Sequence, residues 1–191
     1  MLETYQNNML GCLMLSTSSG RGDFDVNPKD TILYALAPLP YATGIFPLLL
    51  NDAISIEFLP PVKEAQKMSF SERNKKGFKM GLKKGIDFFF GVGSVTYYVS
   101  LSIASLGSGH KSGSGSGGGD GKKKISISPA MVVRLLKAKH LCRKEGRDLL
   151  PKDLFRLKGF MCAGTDNRLY RDDLEKLWGV RPMEISVSYT H

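Results

Sequence analysis

Residues 31–50, TILYALAPLPYATGIFPLLL, form the most apolar run of the chain, and Pro38, Pro40, Gly44 and Pro47 interrupt it. A membrane-spanning helix tolerates such breaks poorly, because each proline removes a backbone N–H donor. The run is better explained as a buried strand, a turn and a helix that begins at Pro47. The N-terminal MLETYQNNML also lacks the basic start of a secretory signal, so the sequence predicts a soluble, cytoplasmic protein.

Short apolar runs alternate with helix-like segments along the rest of the chain. ISIEFLP, IDFFFGVGS and KGFMCA are typical of buried strands, whereas Leu2–Leu15, the basic segment 62–85 and the segment after Ser128-Pro129 are typical of helices. SFSE, at the start of one helix, is a capping signal. VTYYVSLSIAS fits a helix or a strand equally well. This alternation predicts an α/β fold with a largely parallel sheet covered by helices.

One low-complexity segment, LGSGHKSGSGSGGGDGKKK, interrupts the predicted domain. Its glycines alternate with serines and lack the spacing of a phosphate-binding loop, so it predicts a flexible surface loop over 107–124. The predicted organisation is therefore one α/β domain in two parts, 1–106 and 125–185, with a tail over 186–191 that does not fit the pattern.

The charge and the cysteines exclude few function classes. The chain has 27 Lys+Arg against 18 Asp+Glu, a formal net charge of +9, which permits anionic partners but selects none of them. Cys12, Cys142 and Cys162 are far apart and indicate reduced thiols rather than disulfides or a zinc site. His140 has no second metal ligand at a suitable spacing and is interpreted as a packed or surface side chain.

Three turns follow predicted strands and are the candidate functional segments. They are Pro38–Gly44, Gly91–Ser94 and Ala163–Asn167. Because ligands of open α/β sheets gather at the carboxyl ends of the strands, the sequence predicts a site built from these turns.

The three turns, in this order, resemble segments of the amino-terminal domain of the adenylate-forming superfamily, which comprises acyl-CoA synthetases, luciferases and related ligases, and the resemblance implies that the predicted α/β domain is part of such an amino-terminal domain. The likeness is greatest to the plant auxin-responsive acyl-acid amido synthetases and their bacterial relatives. It is carried by LAPLPYATG, GIDFFFGVGSVTYYVS and KGFMCAGTDNRLYRDDLEKLWGVRPMEI. It extends over most of Leu15 to Ile185, apart from the Ser/Gly loop.

The resemblance implies a reaction and its cofactors. Members of this superfamily join a carboxylic acid to ATP, release pyrophosphate and leave an acyl-adenylate, from which CoA or an amine takes the acyl group. Such chemistry concentrates negative charge and uses Mg²⁺ and cationic groups for stabilisation. The implied partners are ATP, Mg²⁺, a carboxylic acid and the acceptor.

The resemblance also implies roles for particular residues. A nucleotide-binding turn would contain Ala163, Gly164, Thr165 and Asp166. An acyl pocket and its channel would be bordered by Tyr41, Gly44, Gly91, Gly93 and Ser94. Glycine lets main chain approach a ligand closely because it has no Cβ. For Asp166, a cap on the following helix is an equal alternative to ligand contact.

Three parts of the family pattern are not found in this sequence. A Ser/Thr/Gly loop that ends in lysine should precede these segments, an acidic Mg²⁺ ligand should follow them where SVSYTH stands, and a further domain should supply a catalytic lysine. The sequence therefore predicts a fragment of a ligase, with no catalytic or metal-binding residue to assign. We expect the chain alone to bind cofactors weakly and to show no substrate-dependent ATP–pyrophosphate exchange.

Two other functions stay open at this point. The chain could be a non-catalytic basic module that binds an anionic membrane or nucleic acid through Lys75, Lys76, Lys79, Lys83, Lys84 and Lys122–Lys124. It has no recognition-helix or zinc-finger signature, which argues against a specific nucleic acid partner. It could also be a non-catalytic relative of the ligases.

Overall fold

The computed structural model describes residues 2–18, 20, 22–36, 39, 42–108, 128–164 and 166–185. The helices are α1 (Leu2–Leu15), α2 (Ala42–Ala53), α3 (Val62–Ala65), α4 (Phe70–Lys84), α5 (Gly93–Ser108), α6 (Pro129–Glu145), α7 (Pro151–Leu154) and α8 (Asn167–Trp178). The strands are β1 (Thr31–Ala35), β2 (Glu57–Leu59), β3 (Phe88–Val92), β4 (Gly159–Ala163) and β5 (Met183–Ile185).

Within the described part of the chain, five strands form one sheet in the order β2-β1-β3-β4-β5, and every neighbouring pair is parallel. This confirms the predicted α/β fold with a parallel sheet covered by helices. The chain runs from β1 outward to β2, returns to β3 beside β1, and then proceeds the other way. In this doubly wound order the direction in which successive strands are added to the sheet reverses between β1 and β3, and ligands of such sheets bind at this switch point, beyond the carboxyl ends of the strands.

The first face of the sheet is covered by α1, α2 and α3. Buried side chains of these helices pack against alternate residues of β1 and β3. Phe46 of α2 meets Phe90 of β3 edge-on, with ring centroids 4.1 Å apart. Leu13 of α1 and Leu50 of α2 are fully buried in the same cluster. These contacts hold α2 on the first face of the sheet, next to the switch point between β1 and β3.

The second face is covered by α4 to α8 and centres on Trp178. The Trp178 ring lies 5.2 Å from Phe89 of β3 and 6.1 Å from Phe160 of β4, measured between centroids. Its indole Nε1 donates a 2.7 Å hydrogen bond to Ser100 Oγ of α5. The single tryptophan therefore joins α5, α8 and the two central strands, and its polar atom is satisfied inside the core.

Local signals account for where several helices begin. Ser69 and Glu72 form a capping box at α4, as SFSE predicts. Ser128 Oγ accepts a hydrogen bond from the backbone N–H of Met131, and Pro129 is the first residue of α6. The segment VTYYVSLSIAS, for which the sequence favoured neither state, lies in helix α5.

The predicted start of α2 at Pro47 is wrong. The helix begins at Ala42 and contains Pro47 in its interior, so the predicted turn Pro38–Gly44 already ends inside a helix. The proline removes one backbone hydrogen bond from α2. Phe46 and Leu50 are buried on either side of it, and this apolar burial outweighs the loss.

Strands from both predicted parts of the domain lie in the same sheet, because β3 pairs with β4 along its whole length. Helix α5 extends to Ser108, two residues past the predicted boundary at 106. The rest of the predicted loop and the tail 186–191 lie outside the described residues, and the domain boundaries stay a prediction. None of the helices described has both the length and the apolar composition that crossing a bilayer requires.

Two glycines inside helices give a matched test of the packing of α4. A Cβ on Gly77 would lie 2.5 Å from the carbonyl oxygen of Leu59 in β2, whereas a Cβ on Gly11 of α1 would meet nothing within 4 Å. Both changes to alanine raise helix propensity, by about 1 kcal/mol. We expect Gly77→Ala to lower the free energy of unfolding by about 1–3 kcal/mol through overpacking, and Gly11→Ala to raise it.

Urea denaturation of the two variants and the parent chain measures both effects. If the free energy of unfolding changed equally and in the same direction in both variants, the close approach of α4 to β2 would be contradicted.

Candidate functional site

Two of the three predicted turns meet at the carboxyl ends of β3 and β4. Gly93 opens α5, and a Cβ added there would lie 2.5 Å from Asn167 Oδ1 and 3.4 Å from Asp166 Oδ1. A Cβ on Gly164 would lie 3.0 Å from the same Asp166 oxygen. We call this meeting point of Gly93, Gly164, Asp166 and Asn167 the glycine junction. It brings the amino termini of α5 and α8 together.

Gly164 has the backbone conformation that most requires glycine at the junction. Its φ is +119°, which side-chain-bearing residues rarely adopt, and the residue is exposed. The main chain therefore turns sharply out of β4 at a residue that has no side chain of its own, and Asp166 Oδ1 and Val92 Cγ1 lie 3.0 and 3.5 Å from the position that a Cβ would take. Such a turn leaves backbone groups open to a ligand.

Asn167 is the residue that fixes the junction, and the sequence pattern gave it no role. It is 5% exposed, and its Nδ2 donates a 3.1 Å hydrogen bond to the Cys162 carbonyl of β4. Its Oδ1 faces Gly93 and has no hydrogen-bond partner among the described residues. The signal that the sequence offers for this role is a polar residue at the first position of a helix that follows a glycine turn.

The proposed capping role of Asp166 is wrong. Asp166 stands at the N-cap position of α8, but its side chain accepts no hydrogen bond from the helix. Its φ of −91° and ψ of 1° differ from the extended backbone that N-cap residues usually adopt. The carboxylate instead lies beside the two glycines of the junction.

The other predicted residues are placed differently. Gly91 lies in β3 rather than in a turn, and its missing Cβ makes room for Thr96, whose Oγ1 would be 2.1 Å away. Ala163 is buried in β4 among the core residues of the first face. Ser94 is half-buried in the first turn of α5. Tyr41 and Thr165 lie outside the described residues.

A cavity of ≈ 260 Å³ opens at the carboxyl ends of β1 and β2, on the same edge of the sheet. Gly44, predicted to border the acyl pocket, lines it. We call it the Arg73 cavity, after the one charged side chain among its described lining residues. These are Tyr34, Leu36, Leu39, Gly44, Pro47, Leu48, Val62, Ala65, Gln66 and Arg73.

Arg73 reaches from α4 over the end of β1 and is 5% exposed. Its Nη2 donates a hydrogen bond to the Leu36 carbonyl, and its guanidinium carbon lies 5.5 Å from the centroid of the Tyr34 ring and 5.4 Å from that of Phe70. Burial lowers the pKa of Arg73, and the nearby Tyr34 opposes this effect. The sequence pattern did not single out this residue.

Tyr34 forms the floor of the same cavity. Its hydroxyl donates a 3.0 Å hydrogen bond to the Pro60 carbonyl. Burial raises the pKa of Tyr34 to about 12, although the positive charge of Arg73 acts in the opposite direction. The phenol is therefore a neutral donor at ordinary pH.

Among the described residues, the side chains form no cluster of metal ligands, and burial raises the pKa of all three cysteines. The described segments contain no group of three or more His, Cys, Asp or Glu side chains that could hold a metal ion. Burial raises the pKa of the Cys162 thiol to about 12, so this cysteine is protonated and poorly nucleophilic near neutral pH.

Comparison of the chain with protein-family models, with curated proteins and with solved structures gave no match.

The contact between Gly93 and Asn167 predicts a coupled pair of mutations. Gly93→Ala places a methyl group against Asn167 Oδ1 and should lower the free energy of unfolding by about 1–3 kcal/mol. Asn167→Ala removes the hydrogen bond to Cys162, which is worth about 1 kcal/mol. Since the smaller side chain at 167 also makes room for the added methyl group, we expect the double variant to lose at least about 1 kcal/mol less than the sum of the single variants.

Chemical denaturation of the four proteins gives this coupling energy. Strict additivity would show that the two residues do not meet in solution.

The buried phenol of Tyr34 predicts a loss of stability at high pH. Its pKa is higher in the folded protein than the unfolded value of 10, so the folded state favours the neutral form. The stabilisation is complete below pH 10 and is lost as the pH rises from 10 to about 12, by roughly 2–3 kcal/mol. The free energy of unfolding, measured by chemical denaturation at several pH values across this range, should fall more steeply with pH for the parent chain than for Tyr34→Phe. Parallel pH profiles would contradict the assignment.

Proposed function

We propose that this chain is part of an ATP-dependent adenylate-forming ligase, which activates a carboxylic acid as an acyl-adenylate. The observation that carries the proposal is the glycine junction. Two turns that resemble the family's acyl-channel and nucleotide segments come together at one edge of a parallel sheet, and they meet through residues that need glycine. The Arg73 cavity, with Gly44 in its wall, lies on the same edge.

The glycine junction suits the nucleotide part of an acyl-adenylate. The exposed main chain at Gly164 allows the flat face of an adenine to approach closely. The helices α5 and α8 both begin at the glycine junction. Helix amino termini favour anionic groups such as the phosphate of an adenylate. Gly164, Asp166 and the first turn of α5 would hold the nucleotide.

Mg²⁺ belongs to the reaction of this family, but we assign it no residues. The described side chains do not cluster into a suitable set of ligands. The carboxylic acid would occupy the Arg73 cavity, and CoA or an amine would be the acceptor.

A basic cleft at the opposite edge of the sheet supports a second candidate, the binding of an anionic membrane or nucleic acid. Its volume is ≈ 710 Å³. Of the lysines in the basic-module hypothesis, Lys84 lines it and pairs with Glu57, while Lys76 pairs with Glu64 elsewhere. Five basic and two acidic side chains line this cleft: Lys84, Arg134, Lys137, Lys152, Arg156, Asp87 and Asp153.

Titration with AMP, followed by amide chemical shifts, distinguishes the two candidates. We expect weak binding that moves the amide signals of Gly93, Gly164 and Asp166. Gly164→Val should abolish these changes, because a branched side chain strains a backbone with φ +119° and covers the exposed main chain. Gly146→Val is the matched control, since Gly146 also has a positive φ, of +64°, but ends α6 away from the junction.

Shifts confined to Arg134, Lys137 and Arg156, with steep loss of binding in salt, would instead favour the basic-module function. No shift at the junction at saturating AMP would contradict nucleotide binding there.

A further inference from the structure

Arg73 is a buried cation without a carboxylate. Among the residues described, its hydrogen-bond acceptor is the Leu36 carbonyl, its Nε has no partner, and no acidic side chain forms an ion pair with it. An isolated buried charge is costly, and proteins normally pair it. The aromatic faces of Tyr34 and Phe70 and one carbonyl oxygen compensate only part of this cost.

Other shielded cations of this protein do have carboxylate partners. Arg147 forms a two-pronged pair with Asp153, at 2.8 and 2.9 Å. Lys158 binds Asp30 at 2.9 Å. Both cations are more exposed than Arg73, whose need for an anion is therefore greater. The contrast indicates that the missing anion of Arg73 is a ligand rather than a part of the described chain.

The pattern of α4 strengthens this point. Lys75, Lys79 and Lys83 of the same helix are exposed, as expected for a basic amphipathic helix. Arg73 alone among its basic residues is buried, with its side chain in the wall of a cavity. A guanidinium in water would avoid the desolvation cost, so its burial indicates a specific use.

We propose that the Arg73 cavity binds a small monocarboxylic acid, whose carboxylate pairs with Arg73 and whose apolar body fills the space between Leu36, Leu48 and Val62. The planar guanidinium presents N–H donors in a fork that matches a carboxylate. The remaining wall is largely apolar and supplies no second cation among the described lining residues, which disfavours a phosphate dianion. A volume of ≈ 260 Å³ limits the acid to a compact one.

The role of this acid as the substrate of a ligase rests on the proposed function. Its binding to Arg73 does not, because the cavity, the burial of Arg73 and its lack of an ion pair among the described residues are observed independently of any reaction. Binding of the acid is therefore measured without nucleotide. Its failure leaves the AMP titration of the glycine junction unaffected, and the reverse also holds.

Calorimetric titration with benzoate, isovalerate and 3-phenylpropionate tests the proposal. Benzamide is the neutral control of the same shape as benzoate, and inorganic phosphate is the control for anions in general. We expect at least one of the acids to bind with a dissociation constant of about 1 mM or tighter, and benzamide to bind at least about tenfold more weakly than benzoate if benzoate is a ligand. Phosphate should not compete.

Three variants locate the binding. Arg73→Met approximately keeps the length of the side chain and removes the charge. It should therefore weaken binding of the acid by about tenfold or more, while the melting temperature of the protein is unchanged or raised. Arg73→Lys keeps the charge but loses the fork, and should give an intermediate affinity. Lys79→Met, an exposed change on the same helix, should leave the affinity unchanged.

The proposal is overturned if none of the three acids binds the parent chain, if benzoate binds and benzamide binds equally well, or if Arg73→Met binds the acid as tightly as the parent. If Arg73→Met does not fold, the site is tested by the affinity of Arg73→Lys for the acid and by the chemical-shift changes of Leu48 and Val62 when the acid is added to the parent chain. An acid that leaves those shifts unchanged binds elsewhere and contradicts the site.

Discussion

The packing of β3 through both faces of the sheet is the constraint on which the rest of the structure depends. Phe89 stacks on Phe160 of β4, with centroids 5.5 Å apart and planes 11° from parallel, and also meets Trp178. Phe88 and Phe90 point to the opposite face, where Phe46 covers Phe90. Since all three phenylalanines are buried, β3 cannot slide or turn over without exposing a large aromatic surface.

A fixed β3 also fixes the position of the next helix. The chain enters α5 directly at Gly93, and α5 and α8 lie against each other over β3 and β4. The glycine junction therefore results from core packing and not only from its own few contacts. The Arg73 cavity depends on the neighbouring strand β1, which supplies Tyr34 and is followed directly by Leu36. One edge of the sheet thus carries a mainly backbone surface and a mainly apolar cavity side by side.

The sequence predicted the features that local chemistry decides. Short apolar runs between helical segments indicated the parallel sheet, and the signals at Ser69 and Ser128 gave the starts of α4 and α6. It failed where tertiary contacts decide. Pro47 lies inside a helix because burial outweighs one hydrogen bond, and Arg73 was not singled out because nothing local distinguishes it from its lysine neighbours. Asn167 was included in a candidate turn but given no role, because its role depends on Gly93, which is distant in the sequence.

The pairing of β3 with β4 has a consequence for folding and for tolerance of insertions. The two strands are joined through α5, the Ser/Gly-rich segment, α6 and α7, so their contact is non-local and forms slowly compared with a hairpin. The entropy of closing such a connection grows only with the logarithm of its length, by about 0.6 kcal/mol for each doubling. Added sequence between α5 and α6, or even a whole inserted domain, therefore costs the pairing of β3 with β4 little in loop-closure entropy.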